Sequence, residues 1–274
     1  MTDRSMETKI HPTAIIEEGA EIGEGCRIGP FAIIEAGAKI GPDNIFDAGS
    51  HVSGFVEMGS GNHLMRGASL GGEPQSKKYQ GEITWLKVGD GNWFGENTVV
   101  NRGTADKGVT TIGNHLFMMN GSHIGHDAVI QDHVIIGPAV NIGGEALIMD
   151  RANLGAGVGI HQFVRMGELA MAGGLTAVTQ DVLPFTLIAQ GGDLFGLNPI
   201  GIKRSGIYPD KIDTLKEMYR RLCLRRQPLE EFRKWLDEQP EDPFIQVWSA
   251  FLAETSKRGY ARARARGGAS PRED

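Results

Sequence analysis

The sequence predicts a β solenoid made of hexapeptide repeats, a parallel β-helix, followed by a small α-helical C-terminal domain. Three observations predict it. Bulky apolar residues recur every six positions from Ile10 to Val178 and fill 25 of the 29 places on that ruler. Glycine supplies 39 of 274 residues, about twice the usual share of ~7%. Past residue 209 the six-residue step gives way to apolar stripes at helical spacing.

Composition excludes several other classes. There are 12 prolines and no Gly-x-y period, so collagen is out, and 40% hydrophobic with 23% charged residues is not the make-up of a disordered chain. No stretch approaches the ~20 apolar residues of a membrane span. The opening residues lack the apolar core of a signal peptide, so the expected location is cytoplasmic. Cys26 and Cys223 lie far apart and form no metal-binding pair; both are expected to be small buried hydrophobes in a reducing compartment. The net charge of −6 is uneven: residues 1–198 hold 12 basic and 22 acidic groups, and residues 199–274 hold 16 and 12. A basic C-terminal region points to an acidic partner, although a solvated helix face gives the same count.

The ruler runs through Ile16, Ile22, Ile28, Ile34, Ile40, Phe46, Val52, Met58, Leu64 and Leu70. It fails at Ser76 and Glu82, resumes at Val88, Phe94 and Val100, and fails again at Asp106. From Ile112 onward it is unbroken. Glycine follows it at positions such as Gly23, Gly41, Gly125, Gly143 and Gly167. Period six suits neither an amphipathic helix nor a long strand. It suits a chain that turns a corner every six residues, with glycine or asparagine supplying positive φ at the corner. Three sides make an eighteen-residue coil, and coils stack at the strand spacing of ~4.8 Å. The two failures mark polar loops near 72–84 and 104–110, places where a rigid solenoid throws out binding groups.

The expected domains are a β-helix over 9–189, a Gly- and Pro-punctuated linker over 190–208, and a helical domain over 209–257. Pro209 suits the first turn of a helix carrying Ile212, Leu215, Met218, Tyr219 and Leu222. Helices follow from Pro228 to Glu238 and from Pro243 to about Ser256. The tail 258–274, with Arg262, Arg264 and Arg266, has no core residues and is expected to be disordered. Its arginines do not make a nucleic-acid site, because Tyr260 is the one aromatic among them and the chain is acidic overall.

Chemistry concentrates where histidines meet the ruler. Adding 18 to His126 gives Gly144, and adding it again gives Gln162; adding 18 to His123 gives Asn141. These columns are expected on one face, with His161 beside Gln162. An imidazole next to a carboxylate, Asp127, and below a bare backbone at Gly144, has what acyl transfer needs. The imidazole takes a hydroxyl proton, and the glycine N–H faces the developing oxyanion. Ser122 is the one nearby hydroxyl, so direct attack by a substrate hydroxyl is favoured over a covalent intermediate. A metal site at His123, His126 and His161 is the competing reading, and inert surface histidines are the bland one.

The ordered motifs carry a closer likeness. They are Ile10-His-Pro-Thr-Ala-Ile-Ile, Pro74-Gln-Ser-Lys-Lys-Tyr79, Asn101-Arg-Gly-Thr104, His123-Ile-Gly-His-Asp127, His161-Gln-Phe163, Gln180-Asp-Val182, Ile188-Ala-Gln-Gly191 and Phe195-Gly-Leu-Asn198, with Lys203-Arg204 after them. Together they resemble the UDP-N-acetylglucosamine O-acyltransferase family of lipid A biosynthesis, over nearly the whole chain. The resemblance implies a left-handed β-helix, a homotrimer with sites between subunits, and no metal or cofactor. It implies transfer of an (R)-3-hydroxyacyl group from acyl carrier protein to the 3-hydroxyl of a UDP-amino sugar. By motif match, His126 is the general base, Asp127 orients it, and Gly144 gives the oxyanion N–H. Lys78, Ser76, His123, Glu145, His161 and Gln162 fall at substrate positions, Asn198 and Arg204 at the nucleotide, and Gly174 where acyl length is set.

Four positions depart from the family pattern. Ser76 stands for an aspartate, Glu145 for a histidine, Ile200 for a glutamate and Ser205 for an arginine. The proton-transfer centre is kept while the sugar-reading positions differ. Three readings stay open: transfer to the 3-hydroxyl, transfer to a 3-amine or another nucleotide sugar, and a drifted paralogue that binds without turnover. A bifunctional pyrophosphorylase-type enzyme is not expected, because no Gly-rich nucleotidyltransferase region precedes the repeat.

Overall fold

The computed structural model describes residues 7–189, 191–208 and 212–263. Two- to five-residue strands wind into a three-sided prism, a left-handed parallel β-helix. The first face has 11 strands, the second 9 and the third 8. Strands on a face pair in parallel at a step of eighteen residues, as Ile28 does with Phe46 and Ile124 with Ile142. The two loops lengthen the step without breaking the pairing: Leu64 meets Phe94 and Val88 meets Ile112. The second excursion spans 102–108, because Val109–Ile112 is already a strand on the third face.

Ruler side chains fill the interior, from Ile28 and Ile34 through Ile136 and Leu154 to Val178. A second inward position lies four residues after the ruler and holds smaller groups, among them Ala32, Ala38, Ala128, Ala146 and Val158. At one corner this position carries buried amides. Asn62 Nδ2 and N both donate to Asn44 Oδ1, Asn92 does the same to Asn62 Oδ1, and Leu116 N donates to Asn92 Oδ1. Each amide also donates to the carbonyl of a glycine just after the ruler. Every donor in the column is thereby satisfied, as a buried polar group requires.

Glycine supplies positive φ at many corners, among them Gly25, Gly49, Gly121 and Gly157, but the glycines that directly follow the ruler play a different part. Gly125 and Gly143 do not sit at positive φ; a Cβ on them would lie 2.9 Å and 2.7 Å from the backbone N of Gly144 and Gln162 in the next coil. Close stacking of coils excludes a side chain there. The left-handed residue comes two positions later and is often not glycine: Asp43, Asn97, Asp127, Glu145 and Phe163 all have φ between 55° and 66°.

The stretch expected to be a linker is structured. Asp193–Leu197 pairs antiparallel with Thr186–Ala189 and extends the first face. Helix α1, Pro199–Ser205, follows. Helix α2 is Asp213–Tyr219 and continues as a π-helical turn, Arg220–Leu224; α3 is Leu229–Asp237 and α4 is Pro243–Ala253. The expected start at Pro209 lies outside the described residues. Phe244 joins helices to prism, its ring 5.2 Å from both Phe185 and Tyr208. The tail is ordered further than expected: Ala261 N donates to Asp181 O and Leu194 N to Arg262 O, so its backbone is paired through 263. Residues 264–274, including Arg264 and Arg266, lie outside the described residues. Cys26 and Cys223 are free and buried, and burial pushes the Cys223 thiol up to about 12. Among the described residues no helix is long and apolar enough to cross a membrane.

Candidate active site

The chain turns from the second face to the third at His126–Asp127, Gly144–Glu145 and Gln162–Phe163. Glu145 N donates to His126 O at 2.9 Å and Phe163 N to Gly144 O at 3.2 Å. His126, Gly144 and Gln162 therefore stand on successive rungs of one edge. The sequence reading put them on the same face as His123 and Asn141. The structure instead puts those two on the face itself, paired across adjacent strands, and the His126 column at the edge. The corner falls two and three residues after the ruler, which separates His126 from His123.

The coil pairing gives the first residue of such corners no backbone acceptor; at several a side chain takes the N–H instead, as Asp132 does for Asn114. Pro12, Pro30, Pro42 and Pro138 occupy equivalent positions, where a missing donor costs nothing. At the edge of interest the donor is kept: among the described residues Gly144 N–H has no acceptor. Gly144 also lies directly on the imidazole of His126, so that a Cβ on it would come 2.9 Å from Nε2.

Asp127 is 1% exposed, and each carboxylate oxygen is occupied. Thr104 N donates to Oδ1 at 2.8 Å, and Thr104 Oγ1 donates to Oδ2 at 2.7 Å. His126 Nδ1 lies 2.8 Å from Oδ2. A carboxylate only accepts, so the proton is on Nδ1 and neutral His126 presents Nε2 as a base. Asp127 N in turn donates to Thr110 Oγ1 at 2.7 Å. The excursion at 102–108 thus braces the aspartate from outside the prism. No role for Thr104 or Thr110 follows from the eighteen-residue step, because the excursion that holds Thr104 and directly precedes the strand of Thr110 breaks it.

A cavity of about 540 Å³ opens over this edge. His126, Glu145, Gln162 and Phe163 form its floor, and the loop with Ser76 and Lys78 forms a wall. Arg102, whose role likewise does not follow from that step, anchors that loop: Nη2 donates to Tyr79 Oη at 2.6 Å and Nη1 to Gly71 O at 3.2 Å. Its guanidinium lies 4.6 Å and 5.6 Å from the ring centres of Phe55 and Tyr79. Glu145 lies 3.8 Å from both Lys107 and Lys257, and the Lys257 ammonium sits 4.5 Å over the Phe163 ring.

His123 and His161 line a shallower groove on the second face, with Asn141 and Gly159 between them. Burial, and then the nearby charge of His126, hold His123 below the usual histidine range. His161 Nδ1 is 3.2 Å from Gln162 O. His123 and His126 turn to different partners, Asn101 and Asp127, and among the described residues no three metal-ligating side chains converge. Ser122 is inside the core, with Oγ donating to Gly137 O at 2.8 Å, and cannot act as a nucleophile.

Three other residues expected at the site stand apart from this cavity within the chain. Gly174 occupies the edge between the first and second faces. Asn198 caps α1, accepting from Gly201 N at 3.0 Å and donating to Leu169 O at 2.9 Å. Arg204 is exposed on the same helix.

Comparison with known proteins now places the chain. Residues 7–36 match the bacterial transferase hexapeptide model of six repeats, and residues 181–261 match the second domain of Udp N-acetylglucosamine O-acyltransferase. An acyl-[acyl-carrier-protein]–UDP-N-acetylglucosamine O-acyltransferase from Anaeromyxobacter dehalogenans is 41% identical, covering 92% of this chain and 99% of its own. The UDP-N-acetylglucosamine acyltransferase structure from Francisella novicida superposes with a TM-score of 0.88 at 30% identity, covering 92% and 94%. That from Bacteroides fragilis gives 0.87 at 32%, covering 92% and 100%. The chain belongs to the UDP-N-acetylglucosamine O-acyltransferase family.

Proposed function

We propose that this protein transfers an (R)-3-hydroxyacyl group from acyl carrier protein to a UDP-N-acetylglucosamine-type sugar, the first step of lipid A biosynthesis. The observation that carries the reading is His126, a cavity-lining residue paired with Asp127 and lying against Gly144, whose N–H has no acceptor among the described residues. In this scheme the sugar 3-hydroxyl attacks the thioester carbonyl while His126 Nε2 takes its proton. The Gly144 N–H donates to the tetrahedral oxyanion. The C–S bond then breaks, and the proton held by His126 passes to the departing thiolate. Asp127, clamped by Thr104, stabilises the transient imidazolium. Lys78, Ser76, Glu145 and Gln162 position the sugar and the carrier's thioester, and His123 and His161 the acyl chain's polar end.

The working form is a homotrimer in the cytoplasm. An apolar stripe on the first face supports the assembly: Trp93, Phe117 and Ile135 follow one another on adjacent strands and remain more than a third exposed. Pairing of subunits along such a stripe would bring Gly174, Asn198 and Arg204 of one subunit towards the His126 edge of another, where acyl length and the nucleotide would be read. Two free buried cysteines suit a reducing compartment.

Glu145 favours a second acceptor. Its carboxylate, shared with Lys107 and Lys257, would hold an amine-bearing sugar by exchanging one of those ammonium groups for the sugar's nitrogen, giving an amide in place of an ester. Incubation of the purified protein with 3-hydroxyacyl carrier proteins of several lengths, against UDP-N-acetylglucosamine and its 3-amino analogue, separates these readings. Product with the hydroxyl sugar supports the first and product with the amine alone the second. No product with any pair would leave a binding protein without turnover.

A further inference from the structure

We infer that Asn101 is a positioning residue that fixes His123 in a single tautomer, Nε2–H, so that Nδ1 is offered to the substrate as a hydrogen-bond acceptor. The part played in transfer rests on the function proposed above; the tautomer does not.

The assignment follows from a chain of three groups. Asn101 Nδ2 lies 2.6 Å from the backbone carbonyl of Glu73. A carbonyl only accepts, so the amide nitrogen faces it and the orientation of the Asn101 amide is settled. Asn101 Oδ1 is then the atom 2.7 Å from His123 Nε2. An amide oxygen only accepts, so Nε2 carries a proton. Asn101 itself is buried, 4% exposed, so its amide is held between these two partners.

The other ring nitrogen is left for a ligand. Among the described residues His123 Nδ1 has no hydrogen-bond partner, and the ring lines the open groove on the second face. The adjoining strands place Val99 and Asn141 beside it, neither of them charged. The ionisable group that acts on it is His126, whose positive charge works against a second proton, as burial does. With Nε2–H held by Asn101, Nδ1 is the ring atom left to meet a ligand. It accepts from a donor on the bound substrate, either a hydroxyl of the acyl chain or the amide N–H of the sugar. The acceptor atom of His123 is defined by Asn101, which is itself tied to Glu73 at the start of the loop that bears Ser76 and Lys78.

Nitrogen-15 spectra of the histidine-labelled full chain at about pH 7.5 test this, with His123→Gln identifying the signal. The expected result is Nε2 protonated and Nδ1 unprotonated in the wild type, and a mixture of tautomers in Asn101→Ala. Asn101→Asp keeps the acceptor but not the donor and should keep Nε2 protonated; it serves if the alanine variant unfolds. Turnover by Asn101→Ala should fall about tenfold, the scale of one buried hydrogen bond. Acyl carrier proteins lacking the 3-hydroxyl show which donor is read: if it is the acyl hydroxyl, the variant loses no further activity on them; if it is the sugar amide, the full loss remains. A wild-type His123 protonated on Nδ1, or Asn101→Ala with an unchanged spectrum, would overturn the assignment. Wild-type protein with the expected tautomer and no transferase activity would sustain the assignment and overturn the proposed function alone.

Discussion

Gly144 lies over the imidazole of His126 so closely that a Cβ on it would come within 2.7 Å of Cε1. The corner geometry does not demand glycine there, since φ at Gly144 is not positive. What excludes a side chain is the ring itself. In Gly144→Ala the ring must swing away, and with it the 2.8 Å contact to Asp127. We expect kcat/KM to fall by about 10²-fold or more, the share ascribed to general-base catalysis. Thermal unfolding should shift by no more than about 1 kcal/mol, because the displaced atoms end a mobile side chain. Kinetics and melting measured on the same preparation check both.

Thr104 holds both oxygens of Asp127 from a loop that the prism does not need for its own packing. Thr104→Val removes the hydroxyl bond and keeps the backbone one. A loss of about 1 kcal/mol in stability is expected, with about tenfold in turnover as the aspartate loosens. Calorimetry together with steady-state rates tests it; an unchanged rate would mean that the Thr104 hydroxyl is not needed to hold Asp127.

The buried asparagine column makes a stability prediction free of catalysis. Asn62→Ala leaves Asn92 N–H and the Gly89 carbonyl without their partner. At 1–3 kcal/mol per stranded group, a loss of about 3 kcal/mol is expected in chemical denaturation, with kcat/KM unchanged.

His123 gives a pH dependence of known sign. Burial, and then the charge of His126, lower its folded value below the ordinary ~6.5. Between the two values the unfolded chain binds more protons. The stability His123 contributes is therefore whole above pH ~6.5 and lost as pH falls through the folded value. Denaturation curves collected from pH 7.5 downward should show a steeper acid loss for wild type than for His123→Gln, by the proton that His123 takes up (about one at most).

Much of the fold was legible because one residue in six must be apolar to fill a three-sided prism. Ile124, Ile142 and Ile160 alone fix the step that brings His126, Gly144 and Gln162 to one edge. The corners are legible only in part. Gly25, Gly49, Gly121 and Gly157 do take positive φ at corners, whereas Gly125 and Gly143 are there for coil-to-coil contact and Asp127 and Glu145 take the left-handed turn. Asp127 can do so because a short polar side chain tolerates that region. Arg102 and Thr104 stand in the motif Asn101-Arg-Gly-Thr104, yet their roles and that of Thr110 do not follow from the sequence, because excursions of unequal length erase the eighteen-residue arithmetic. Residues 190–208 looked like a linker because Gly191, Gly192 and Pro199 punctuate them. Pro199 in fact starts a helix, and Gly192, at a φ of 91°, belongs to the turn between two antiparallel strands.

The central claim is that the edge nitrogen of His126 takes the proton of the attacking sugar. Its most direct test is the rate of acyl transfer by His126→Ala, with circular dichroism and melting recorded on the same sample. A fold and melting temperature close to wild type with a rate lowered at least ~10²-fold is the expected result. A well-folded variant that transfers acyl groups at the wild-type rate would contradict it.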